Sequence, residues 1–337
     1  MGDARKAVTE SSPLFAVVDF ETTGFSPLVG DRIVEIGIVR IGGDGSTVDE
    51  YATLINPMRD VGPTHVHGIT QEDVAHAPTF VEALGDVLSR LAGVIFVGHN
   101  ARYERDFLAA ELTSAGIFLP AIPSLCTLKL GYRLHPELMN YRLGTCCEAA
   151  GLVHGGPHSA IEDARATAKL LSCYLAEAQS AGIETLRALG LDPEGFPDSW
   201  PTFDSSGRTA VRTHGERAVA ELPYLARLVV ALTIVAATED VAPYIDLLDR
   251  ALEDRRVTSE EAEALQATAQ TWGLTRDQVL SAHHSYLESL VAAALADGRV
   301  TYTERQDLEA VALLLAIDSS VLEAILYRVA ESSLWKH

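Results

Sequence analysis

The 337-residue chain lacks several features that mark specialised protein classes. No run of eighteen or more apolar residues occurs, so no membrane-spanning helix and no membrane partner are expected. The opening stretch MGDARKAVTESS has no apolar signal-peptide core and reads as a disordered tail over residues 1–12. Cysteine is scarce: Cys126, Cys146, Cys147 and Cys173 form no C-x-x-C pair and no framework spacing, which excludes a disulfide scaffold and suits a reduced cytoplasm. Positive charge is short as well. The formal net charge is −21, with 13 Lys+Arg against 22 Asp+Glu in residues 1–180 and 13 against 25 beyond. Neither half is a basic platform for phosphate backbones, so any contact with nucleic acid must be local or bridged by divalent metal.

What is present is a globular composition, 47% hydrophobic, with length enough for two domains. Residues 14–20, LFAVVDF, read as a buried strand, followed by strand patterns over 32–42 and 47–57, the last ending at Pro57. Thr79 and Glu82 stand at capping-box spacing before a helical period. VIFVGHN (94–100) reads as another buried strand, with helices expected from about Arg102 to Ser114 and from near Ser159 onward. Three early strands followed by alternating helix and strand predict a mixed-sheet α/β domain over residues 13–180. Pro, Gly, Ser and Asp then dominate without a period, which predicts a linker over 181–218. Residues 219–337 read as an all-α helical bundle. Within it DRRVTSEEAEALQATAQTWGL and DGRVTYTERQDLEAVALLLAI repeat at an offset of 43, with Asp254/Asp297, Val257/Val300, Thr258/Thr301 and Glu261/Glu304 in register. Each copy places Thr as a helix N-cap with Glu three residues later.

The first strand ends VVDFETTGF. Asp19 and Glu21 alternate on one strand face, and two adjacent carboxylates repel unless a cation lies between them. Thr22, Thr23 and Gly24 form a tight turn whose amides can approach a ligand. Further on, GGPHSAIEDARATAKLL puts His158 just before a helix and Asp163 within its first turns, where Asp163 could share a metal with the strand acids. His65, His67, His76, His135, His154, His214, His283 and His284 read as structural. In GHNARYERDFL, Glu104 and Asp106 lie two residues apart, roughly 200° around a helix, so only one can face a site.

VVDFETTGF, VGHNARYERDFL and HSAIEDARATAKLL, in that order and spacing, resemble the three motifs of the DnaQ-like exonucleases with the DEDDh signature, over roughly residues 13–178. LINP followed by THVHGIT is similar to the segment between that family's first two motifs. The resemblance implies an RNase H-like mixed sheet flanked by helices. It also implies a 3′–5′ exonuclease that releases 5′-mononucleotides from 3′ ends of single-stranded DNA or RNA. Asp19, Glu21 and Asp163 would ligate one Mg²⁺ or Mn²⁺, with Asp19 and Glu104 serving a second ion about 3.5–4 Å away. His158 would be the general base, an imidazole being suited to neutral pH. Thr22, Thr23, Gly24 and Asn100 would contact the substrate.

Two departures follow. Tyr103 stands at the family's aromatic position and Glu104 at its usual Asp, while Phe107 and Leu108 keep the register. Glu104 retains charge and oxygen ligands but is one methylene longer, and Mg²⁺ tolerates little distortion of its octahedron. Besides an active enzyme, the alternative is a degenerate nuclease that binds a nucleic-acid end or nucleotide as an adaptor. ALADGRVTYTERQDLEAVALLL resembles TerB-like helical domains, which implies a protein partner or a role in substrate positioning for residues 219–337. Asp297, Gly298 and Glu304 do not have the spacing of a twelve-residue EF-hand.

Overall fold

The computed structural model describes residues 13–138, 140–154, 159–183, 199–212, 238–253, 259–295 and 299–334. The tail expected over 1–12, the candidate base His158, and the repeat residues Asp254, Val257, Thr258, Asp297 and Gly298 lie outside them. The chain divides into two compact units: Met1–Thr23, Arg32–Pro136 and Arg142–Gly215 form the first, and Gly24–Asp31, Glu137–Tyr141 and Glu216–His337 the second.

The first unit is built on a five-stranded sheet ordered β3-β2-β1-β4-β5. Its strands are β1 (Pro13–Thr22), β2 (Ile33–Gly42), β3 (Thr47–Leu54), β4 (Ile95–Gly98) and β5 (Ser124–Cys126). β1 is antiparallel to β2 and parallel to β4; β2 and β3 are antiparallel, β4 and β5 parallel. The mixed sheet expected from the pattern, RNase H-like as the resemblance implies, is therefore present. β1 sits at its centre, which explains the continuous apolar run: Phe15, Ala16, Val17, Val18 and Phe20 are all buried. Around the sheet lie α1 (Thr64–His67), α2 (Gln71–Val74), α3 (Phe80–Leu91), α4 (Ala101–Ser114), α5 (Thr127–Leu134), α6 (Leu143–Ala149) and α7 (Ala160–Ser180). Helix α3 opens with the expected capping box, the Thr79 amide donating to Glu82 Oε2 at 2.8 Å. Strand β5 and helices α1, α2, α5 and α6, none longer than eight residues, were not anticipated from the sequence pattern. The third strand is Thr47–Leu54, three residues short of Pro57, and its Leu54 amide donates to the carbonyl of Ala210.

Helix α7 crosses β1 and β2. Its seat is Gly37, the cross-strand partner of Asp19. A Cβ at Gly37 would lie 2.2 Å from the carbonyl oxygen of Ala160, so only glycine admits the first turn of α7 at this distance.

The second unit holds α8 (Ala242–Glu253), α9 (Ser259–Thr271), α10 (Arg276–Ala294), α11 (Tyr302–Leu314) and α12 (Ser319–Leu334) among the described residues. Tyr244, Leu248, Tyr286, Leu290, Leu308 and Val311 make its core. The expected cap at Thr301 is a full capping box, and Thr275 with Gln278 forms another. Among the described residues its buried Asp249 and His283 are paired: Tyr286 donates to Asp249 at 2.6 Å, and His283 lies between the Tyr244 hydroxyl and the Leu315 carbonyl, each 2.8 Å away. Burial lowers the His283 pKa, the hydrogen bond to the Leu315 carbonyl opposing it. No helix among the described residues is long and apolar enough to cross a membrane.

Gly37→Ala is expected to destabilise the fold by about 1–3 kcal/mol through overpacking and to lower the melting temperature by several degrees. Gly144→Ala, where no atom lies within 4 Å of the new methyl, serves as the control. Circular dichroism melts check both, and a Gly37→Ala protein as stable as the wild type would contradict the close seat of α7.

Candidate active site

The geometry of the acids follows from strand alternation and from that seat. Asp19 and Glu21 leave β1 on one face, opposite Gly37 and Glu35 of β2. On α7 the Asp163 amide donates to the Ser159 carbonyl at 2.9 Å, which places its carboxylate one turn into the helix. Ligand oxygens of Asp19, Glu21 and Asp163 all lie within 4.8 Å of one another; the two strand acids are buried and Asp163 half-buried. Each pair of charges at such range repels by about 1 kcal/mol even in water and by several in a protein environment. A set made only of carboxylate oxygens suits a hard divalent cation, so this triad could hold a metal ion.

Three supporting residues were not legible as such. His154, read as structural, approaches Asp163 Oδ1 with Nε2 at 2.7 Å. That hydrogen bond raises the His154 pKa, against a lowering by burial, and the Asp163 charge adds to the rise. Glu35 accepts the Ala160 amide at 2.9 Å, satisfying one of the open N–H groups at the start of α7. Arg212 in turn grips Glu35: Nε donates to Oε1 at 2.9 Å and NH2 to Oε2 at 2.6 Å. Burial works to lower the Arg212 pKa, but the hydrogen bonds and charge of Glu35, with Glu21 and Asp73 behind them, raise it.

In the middle segment Glu104 faces inward, 1% exposed in the first turn of α4, whereas Asp106 is only half-buried. The helical phase therefore separates the two acids as expected. Glu104 lies outside the group of three whose ligand atoms converge. Its extra methylene passes over Gly98 at the end of β4, where a Cβ would come within 3.1 Å of Glu104 Cγ. Tyr103 reaches back to β1, its hydroxyl 2.8 Å from Thr22 Oγ1, and packs on Phe107 with ring centroids 4.9 Å apart. Asn100, fully buried at the N-cap of α4, offers its carbonyl to the Tyr103 and Glu104 amides. Thr23 is tied to Arg32 by two hydrogen bonds, Thr23 N to Arg32 O and Arg32 N to Thr23 Oγ1. Arg32 is held by a fork onto buried Glu111 at 2.8 and 2.6 Å, which raises the Arg32 pKa. Gly24 stands where a Cβ would strike the Asp31 carboxylate.

Comparison with known proteins places the first unit's sequence among exonucleases. Residues 16–171 match the family model described as Exonuclease, RNase_T. DNA polymerase III PolC-type of Thermotoga maritima is 37% identical over 174 residues, covering 51% of this chain and 12% of that protein. The 3′-5′ exonuclease DinG of Bacillus subtilis is 32% identical over 178 residues, covering 52% of this chain and 19% of its own length. The chain thus spans less than a fifth of the length of either relative. Among solved structures, the nuclease domain of 3′hExo, a DEDDh family member bound to rAMP, aligns with a TM-score of 0.45 at 17% identity. It covers 56% of this chain and 100% of that domain.

Isothermal titration with Mn²⁺ should find Asp19→Asn at least about tenfold weaker than wild type, since a ligand carboxylate is lost. Asp44→Asn, in an exposed turn and bonded to Ser46, should titrate like wild type. Equal affinities in all three proteins would place the ion elsewhere.

Proposed function

We propose that the chain is a metal-dependent 3′–5′ exonuclease that hydrolyses phosphodiester bonds at the 3′ end of single-stranded DNA or RNA and releases 5′-mononucleotides. The observation that carries this reading is the convergence of Asp19, Glu21 and Asp163 within a segment that matches an exonuclease family model. Two Mg²⁺ or Mn²⁺ ions, when bound, stabilise charge on the attacking and leaving oxygens of an in-line displacement. Asp19, Glu21 and Asp163 hold one ion; Asp19 and Glu104 serve the other, Glu104 directly or through water. An imidazole nitrogen of His158 takes the proton of the attacking water. Backbone at Thr22, Thr23 and Gly24 meets the terminal nucleotide together with Asn100, whose carbonyl also fixes the first turn of α4. The metal supplies the positive potential that a chain of net charge −21 lacks.

The nuclease domain spans 13–180, a connection 181–218 follows whose residues 199–212 hold to the first unit, and a TerB-like helical domain 219–337 serves a protein partner. Four free cysteines fit a cytoplasmic setting. One observation favours a second reading: Glu104 is buried and stands apart from the converged triad, as in a nuclease that binds an end without cutting it.

End-labelled single-stranded DNA and RNA oligonucleotides, incubated with Mg²⁺ or Mn²⁺, should shorten from the 3′ end. Asp19→Ala should abolish the activity, and Glu104→Ala should reduce it at least about tenfold while the protein stays folded. A wild type inert with both metals, joined by a Glu104→Asp variant that cuts, would establish the adaptor reading instead.

A further inference from the structure

Residues 199–212 follow the matched exonuclease segment and form neither helix nor strand, yet they belong to the first unit and hold to it at several points. Trp200 Nε1 donates to the Leu88 carbonyl at 2.8 Å, Ser205 to Asp86, and Arg208 pairs with Glu82, all on α3. Gly85 makes room for this strap, since a Cβ there would lie 2.3 Å from the carbonyl oxygen of Asp204. Ala210 then covers the free edge of β3, donating to Thr53 Oγ1 and accepting from the Leu54 amide, and packs against the cluster of Val34, Leu54, Val61, Ile69, Val74 and Ala77. The strap therefore delivers Arg212 from an anchor that owes nothing to α7.

We propose that Arg212 is a positioning residue of the acidic site: by holding Glu35 it fixes the first turn of α7, and with it Asp163. The proposal rests on the nuclease reading for its purpose but not for its geometry. Glu35 is the cross-strand partner of Glu21, and like charges directly opposite on a sheet repel. A carboxylate in that place either pushes Glu21 away or joins the oxygen cluster. The guanidinium prevents both by taking both oxygens in a charged fork, while NH1 is steadied by the His67 carbonyl at 2.6 Å. Oε2 of the same carboxylate receives the Ala160 amide, so the chain of contacts runs from strap to strand to helix start. Glu35 is buried, and without its arginine it would be an uncompensated charge beneath α7.

Hydrogen exchange on the full chain without metal tests the clamp. In Arg212→Gln the amides of residues 160–167 should exchange about tenfold faster than in wild type, with Arg212→Lys between the two and serving alone should the glutamine variant fail to fold. Arg208→Gln, which cuts a different strap contact, should leave that segment unchanged. Mn²⁺ affinity of Arg212→Gln should fall about ten- to a hundredfold. Unchanged exchange at 160–167 in both Arg212 variants would overturn the proposal. Faster exchange in a protein whose wild type binds no Mn²⁺ would uphold the clamp and sink the nuclease reading.

Discussion

The acidic site depends on how closely the first turn of α7 sits on β2. Gly37 removes the side chain that would hold the helix away, and it lies directly across from Asp19. Strand alternation alone would have produced a pair of acids on β1. The third comes from a helix more than a hundred residues later in the chain, and it arrives only because backbone can meet backbone at that point. A methyl group at residue 37 is thus a change to the site as much as to the core.

Charge explains what surrounds the seat. Carboxylates crowd this end of the sheet, and the structure sorts them into two kinds. Glu35 and Glu111 are buried and forked by arginines, Arg212 and Arg32, and each also accepts a backbone amide, from Ala160 and Ile33. These two are scaffolding: their charge is spent on holding α7 and the start of β2. Asp19, Glu21 and Asp163 instead turn their oxygens toward one another, a costly arrangement that a divalent cation relieves. His154 on Asp163 is a partner of the kind that orients a ligating carboxylate.

Much of this was legible in the sequence. The central strand announced itself because burial on both faces leaves no polar alternation, and the capping residues of α3 and α11 stood at the required spacing. Asp19, Glu21 and Asp163 were named from their motifs; helical phase showed that Glu104 and Asp106 face apart, and the register of the family motif chose Glu104. Illegible were the contacts that depend on tertiary structure. His154 lies in a stretch with no period, so nothing marked it off from other histidines. Glu35 reads as one more polar residue of an alternating strand. Arg212 sits in a segment whose composition suggests a mere connection, and its partner is 177 positions away. Such pairings have no sequence spacing, because the sheet and the strap together set them.

The central claim is that three carboxylates from β1 and α7 form a metal site served by Glu104. The most direct test is a crystal structure of the full chain grown with Mn²⁺ and a nucleoside 5′-monophosphate, with the ions located by anomalous scattering. The account predicts one peak among Asp19, Glu21 and Asp163 and a second between Asp19 and the Glu104 side. A structure with saturating Mn²⁺ and no peak at the triad, or with the nucleotide bound away from Thr22 and Thr23, would contradict it.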